Sequence, residues 1–209
     1  MPSSRTTTTY AVLGLLSVRD WTTYELAKQV RRSLNWFWPR AERRLYDEPK
    51  RLVAEGLATA TRETTGKRPR TVYSITDHGR AELADWLGLP AEHPSTELPA
   101  MLKVFFADAG SLDQLAATLD GMEAEAAARL EALADLAGTG AEQPLFPARM
   151  HLSALSLRLQ LEQELTVLRW ARWARREVAT WRATTDPGDW DAAGDLRRLA
   201  DEARRALQA

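Results

Sequence analysis

The stretch 40–56, RAERRLYDEPKRLVAEG, constrains this chain more than any other. Wound as a helix at about 100° per residue, it places Arg40, Arg43, Arg44, Asp47 and Arg51 on one face, with Lys50 at the edge. Ala41, Leu45, Pro49 and Leu52 fall opposite. One side must be buried and the other is strongly basic. Gly56 then ends the helix, because only glycine enters the left-handed C′ conformation without a Cβ penalty. After it the hydrophobic period changes. Residues 57–62 (LATATR) alternate and are rich in Thr, residues 71–75 (TVYSI) form a second β-prone run, and residues 64–70 between them read as a turn holding Lys67, Arg68 and Arg70. The pattern predicts a helix with a basic face followed by a β-hairpin with a basic tip.

Upstream, residues 10–18 (YAVLGLLSV) are apolar at helical spacing, with N-cap candidates in Thr6–Thr9. The run is too short to span a bilayer, has no small-residue cleavage site and reads as a buried helix. A second helix starts at Thr22 or Thr23, where Thr22 and Glu25 have the spacing of a capping box. Its apolar face is Tyr24, Leu26, Ala27, Val30 and Leu34. Thr76 or Asp77 caps a fourth helix that runs to Leu87. Three helices, a hairpin and a closing helix is the order of a winged helix-turn-helix. In that fold the third helix enters the major groove and the wing tip meets the flanking backbone. Arginine suits both tasks because its fork bonds phosphate or guanine bidentately.

Pro90, Pro94 and Pro99 mark a boundary, so the chain is expected to comprise a winged domain at 1–89 and an all-α domain at 90–209. The charge divides the same way. Net charge is −1, yet residues 1–89 carry 15 Lys/Arg against 10 Asp/Glu and residues 90–209 carry 13 against 19. A basic excess confined to one half suggests an anionic partner for that half. Beyond residue 100 the sequence predicts a short helix at 100–107 and a long one from Leu112, with the chain broken from Gly138 to Pro147. A second long helix over about 148–182, a turn at 186–189 and a last amphipathic helix follow. Leu157, Leu161, Leu165 and Leu168, with Leu112, Leu119 and Leu130, offer more apolar face than one helical layer covers, which predicts a homodimer. Trp170, Trp173 and Trp181 share a face with Glu177, where a planar aromatic effector would stack or a partner subunit would pack.

There is no cysteine, which fits a reducing cytoplasm. His78, His93 and His151 are scattered without metal-ligand spacing, and no nucleophile elbow or phosphate loop is present, so neither an enzyme nor a metal or cofactor site is expected.

Several motifs also carry a resemblance. Residues 10–16 (YAVLGLL), Tyr24-Glu-Leu26, Leu45-Tyr46 with Lys50-Arg-Leu52, Glu55-Gly-Leu57, and residues 73–79 (YSITDHG) with Leu83 and Trp86-Leu87 together resemble the PadR family of transcriptional regulators. The resemblance implies a homodimeric winged-helix binder of double-stranded DNA, usually a repressor and often released by a small effector. It adds Tyr24 and Tyr46 to the DNA-facing set of Arg40, Arg43, Arg44, Lys50, Arg51, Lys67, Arg68 and Arg70. The long helices after residue 100 resemble the C-terminal dimerisation region of the larger PadR-like subgroup. One departure stands out: Asp47 and Pro49 occupy positions where the family commonly has Pro and Leu. A proline in a helix interior costs about 3 kcal/mol, which predicts a kink at Pro49 or a helix restarted near Asp47. The competing reading from another class is a helical scaffold or adaptor whose basic face meets an acidic protein.

Overall fold

The computed structural model describes residues 5–38, 42–65, 68–91 and 97–208; the side chains of residues 42–44, 65 and 68 lie outside that description. The chain divides into two compact units, residues 1–94 and 95–209.

The first unit begins with α1 (Thr7–Val18), capped by Thr6 and Thr9 in a reciprocal box. Trp21 and Thr22 form a two-residue strand, β1, which the sequence alone did not suggest. Trp21 is buried, and its indole N–H donates to the Leu15 carbonyl at 2.7 Å. Helix α2 (Thr23–Ser33) opens on the expected box: the Glu25 amide donates to the Thr22 hydroxyl at 3.2 Å, and the Thr22 amide donates to the Glu25 carboxylate at 2.9 Å. Helix α3 (Glu42–Ala54) follows, then the hairpin β2 (Ala58–Thr65) and β3 (Arg68–Ile75), and α4 (Asp77–Leu87). The antiparallel sheet has the order β1-β3-β2, with Trp21 opposite Tyr73 and Thr65 opposite Arg68. The strands are longer than the 57–62 and 71–75 runs, because cross-strand pairing carries the polar residues at the tip into the ladder. Val12, Leu13, Leu16, Leu26, Leu45, Leu52 and Leu57 form the core.

Gly56 has φ 73° and lets the chain leave α3 for the sheet. The Thr76 hydroxyl then donates to the Gly56 carbonyl at 2.8 Å and accepts from the Gly79 amide at 3.0 Å, tying the base of the wing to the start of α4. At Gly79 a Cβ would stand 2.1 Å from the Leu57 carbonyl oxygen, so glycine is required there by close approach.

Pro49 neither breaks nor restarts α3: the helix runs from Glu42 to Ala54 with the proline inside it. The ring is among the fully buried side chains, so apolar burial offsets the lost backbone hydrogen bond.

The second unit contains α5 (Pro99–Phe105), α6 (Leu112–Glu142), α7 (Met150–Val178) and α8 (Ala192–Ala206). Helix α6 continues through Gly138 and Gly140 to Glu142, so the break expected over 138–147 falls in the second half of that span. Each glycine costs only about 1 kcal/mol relative to alanine. The stop comes at Gln143, where φ is −135°, because a residue before proline is driven out of the helical region. Helices α6 and α7 form an antiparallel pair. Arg129–Glu164, Glu123–Arg172 (2.7 Å) and Asp120–Arg175 (2.8 Å) bridge them in descending and ascending order. Leu115, Leu119, Met122, Ala126 and Leu133 of α6 and Leu168, Ala171, Ala174 and Val178 of α7 are buried. Of the expected seam only Leu168 is buried; Leu157, Leu161 and Leu165 are half-buried. Helix α7 ends at Val178 rather than near Arg182, and a turn with Gly188 at φ 65° leads to α8.

Candidate nucleic-acid interface

The inner stripe of α3 is Leu45, Glu48, Pro49 and Leu52, all buried. Its outer stripe carries Tyr46, 42% exposed, and Lys50, whose side chain is 72% exposed and stands 4.0 Å from Asp47. An ion pair so long and so wet holds nothing in place, and Lys50 remains available to an anion. Tyr24 on α2 is 66% exposed. The first unit therefore presents aromatic and cationic side chains from its second and third helices, on elements anchored by its own core. Arg40 and Lys67 lie outside the described residues, as do the side chains of Arg43, Arg44 and Arg68.

Two expected DNA-facing arginines have partners within the protein, Arg70 in an exposed pair and Arg51 in a part-buried one. Arg70 meets Glu63 on the facing strand through Nε at 3.2 Å and Nη2 at 2.8 Å. Arg51 turns toward α1: one of its nitrogens donates to both the Thr9 hydroxyl and the Glu48 carboxylate, and the other lies 3.7 Å from Glu55. The Glu48 partnership raises the already high pKa of the Arg51 guanidinium further. The sequence signal was present, since Glu48 and Glu55 stand three residues before and four after Arg51. What a helical wheel did not show is that Glu48 lies on the buried stripe and needs a cation beside it.

Arg5 continues the network. It reaches Glu55 at 3.3 Å and Glu82 on α4 at 2.7 Å, and the Tyr10 hydroxyl donates to Glu82 at 3.0 Å. Tyr10 also stacks on Trp86, with centroids 4.6 Å apart and planes 7° from parallel.

In the second unit the expected aromatic face is partly filled from within. Trp170 and Trp181 pack on the Leu115, Leu119, Ala174 and Val178 cluster. Trp190, from the turn after α7, stacks on Trp181 at 5.7 Å and meets Trp173 edge-on at 6.3 Å. Glu177, Arg182, Asp189 and Trp190 line an open concavity beside it. Trp190 is held by its indole N–H, which donates to Asp195 at 2.6 Å and holds that carboxyl below its ordinary pKa. Among the described residues no cluster of His and carboxylates could hold a metal, and no helix is long and apolar enough to cross a membrane.

Two family descriptions match the chain: the transcriptional regulator PadR-like family over residues 12–85 and the virulence activator alpha C-terminal region over residues 99–179. The negative transcriptional regulator PadR of Bacillus subtilis is 34% identical over 99 residues, which is 46% of this chain and 54% of that protein. The probable transcriptional regulator Rv1176c of Mycobacterium tuberculosis is 34% identical over 82 residues, 39% of this chain and 43% of that protein. The matches thus span about half the length of these relatives. In three dimensions the chain is similar to Bacillus subtilis PadR in complex with operator DNA. The TM-score is 0.72 at 26% identity, over 81% of this chain and 98% of that one. The PadR-like regulator BC1756 of Bacillus cereus shares the fold, with TM-score 0.72 at 16% identity over 83% of this chain and 98% of that one. Sequence motifs, a winged first unit and a helical second unit all agree: residues 12–85 match the PadR-like family of transcriptional regulators, and 81% of the chain is similar in fold to Bacillus subtilis PadR.

Proposed function

We propose that this protein is a homodimeric repressor that binds a pseudo-palindromic operator through its first unit and assembles through its second. The observation that carries the reading is the division of α3, with Leu45, Pro49 and Leu52 in the core and Tyr46 and Lys50 outside. Such a helix can enter a major groove without disturbing its own packing. Arg40, Arg43 and Arg44 extend the outer face by sequence, and Lys67, Arg68 and Arg70 give the wing its charge. The likeness to a PadR–operator complex supports the reading, and the relative named a negative regulator supports repression. Selection from a random duplex pool tests it. The expected product is an inverted repeat whose half-sites lie one helical turn apart, about 10 base pairs. A pool that enriches no sequence favours the adaptor reading.

The same proposal includes release by a planar aromatic compound. Bacillus subtilis PadR has been crystallised in complex with p-coumaric acid, at 25% identity and TM-score 0.66 to this chain. Here Trp173 and Trp181 are the indole surfaces for such a ligand, and Trp190 is the group it would displace. The buried Trp181 indole N–H has no partner among the described residues, so an acceptor atom on the ligand would satisfy it. Only a compound that binds the DNA-free arrangement more tightly can release DNA. Trp190→Ala should therefore strengthen quenching of indole fluorescence by p-coumaric acid. An unchanged titration would place the effector elsewhere.

A further inference from the structure

Arg51 lies in the last turn of α3, on the basic stretch, yet its guanidinium turns to Thr9 and Glu48, with the side chain 35% exposed. Thr9, which it contacts, is fully buried, and Glu48 is 7% exposed. A carboxylate so enclosed is tolerable only with a cation in hydrogen-bonding contact, and among the described residues Arg51 is the cation in contact with it. Extending Arg51 to a phosphate would strand Glu48, at a greater loss than one exposed phosphate contact returns. The geometry points to a different role, one that rests on the DNA-binding reading: we infer that Arg51 is a positioning residue that fixes the rotation of α3 on the domain, rather than a DNA contact.

Two anchor lines run along adjacent stripes of the helix. Leu45, Pro49 and Leu52 hold it by apolar burial, which resists withdrawal but is non-directional. Glu48, Arg51 and Glu55 hold it by directed bonds to Thr9 of α1 and to Arg5 just before that helix, and Arg5 passes the restraint to Glu82 of α4. Together they set the angle at which Tyr46 and Lys50 leave the surface. Affinity for phosphates in general tolerates a small rotation of that face; reading base edges does not.

The test compares binding of two duplexes, one selected from a random pool by the parent protein and one scrambled at equal length. Glu48→Gln keeps the shape of the clamp and removes its charge. Arg51→Lys keeps the charge and replaces the fork by a point donor. Both variants should lose about tenfold or more on the selected duplex, with scrambled-duplex affinity and salt slope unchanged. If Arg51 were a phosphate contact restrained by Glu48, the signs would reverse. Glu48→Gln would then raise affinity for both duplexes and steepen the salt slope by about one phosphate, and Arg51→Lys would bind nearly as well as the parent. Either that result or unchanged discrimination in both variants overturns the inference. Thermal melting confirms that each variant is folded. Should either charge variant not fold, Thr9→Val, which removes one partner and keeps the ion pair, carries the test with a loss of discrimination as the expected result. A parent that selects no duplex removes the proposed function and this inference together; a selecting parent with indifferent variants removes only the inference.

Discussion

The two units resolve their polar and apolar surfaces in opposite ways. In residues 1–94 each helix of the sheet-bearing core is tied by directed bonds: Thr22 with Glu25, Thr76 with Gly56 and Gly79, and Arg51 with Thr9 and Glu48. The second unit has cross-helix ion pairs but leaves whole leucine faces open. Leu152, Leu155 and Leu159 on α7 and Leu196, Leu199 and Leu207 at and beyond α8 are all exposed. A unit that closes its interior by itself can present a fixed surface to a ligand. Open apolar faces fit the proposed assembly with a second copy, in which each contact counts twice. The contrast teaches where function divides: recognition calls for the first arrangement and assembly for the second.

That contrast can be broken most forcefully at α7. Replacing Leu155 and Leu159 together by Glu should turn a dimer into a monomer, since each leucine buried is worth about 1.5–3 kcal/mol. Analytical ultracentrifugation decides it, and a double variant that stays dimeric would move the interface elsewhere. The first unit should respond differently to a comparable insult. Leu52→Ala opens a cavity in a closed core and should cost about 2–5 kcal/mol in chemical denaturation without changing oligomeric state. Smaller still is the effect on the outer face. Arg44→Ala should weaken the selected duplex by about 1–3 kcal/mol, whereas Lys67→Ala should weaken all duplexes alike and lower the salt slope by about one. Equal loss in both variants would mean that Arg44 meets only phosphate.

The smallest effect sharpens the account of α2. Thr22→Ala should cost about 1 kcal/mol of stability through the lost cap. The Thr22 amide, and secondarily its hydroxyl, hold the Glu25 carboxyl below its usual pKa. A depressed folded-state value contributes stability above the unfolded-state value, near about 4.3, and loses it as pH falls through the folded value. Glu25→Gln should flatten that acid limb of the stability profile; an unaltered limb would assign it to other carboxylates.

Much of the first unit was legible from residue chemistry. The Thr22 box, the Gly56 stop and the Thr76 cap are local devices, fixed within three residues or so, and each stands where its spacing placed it. Features set by tertiary contact were not legible. Pro49 stays in a continuous helix because its ring is buried, and β1 exists because Trp21 pairs with Tyr73 far along the chain. Arg51 belongs to the same class: its spacing gave it a basic face, and the buried Glu48 and Thr9 turned it toward them. The break between α6 and α7 was legible within 138–147, and the pre-proline position at Gln143, rather than Gly138 or Gly140, sets where α6 stops. Trp190 could not be assigned to the Trp173 and Trp181 face from period alone, since a turn rather than a helix brings it there.

The central claim is that the first unit reads DNA, and fluorescence anisotropy of a labelled duplex selected from a random pool, titrated at 50 mM and 200 mM salt beside a scrambled control, tests it most directly. The account predicts tight binding of the selected duplex, a preference of about a thousandfold or more over the control, and a fall in affinity with salt of roughly 0.9 log units per neutralised phosphate for each tenfold rise in concentration. Binding of both duplexes with equal affinity, or an affinity indifferent to salt, would contradict it.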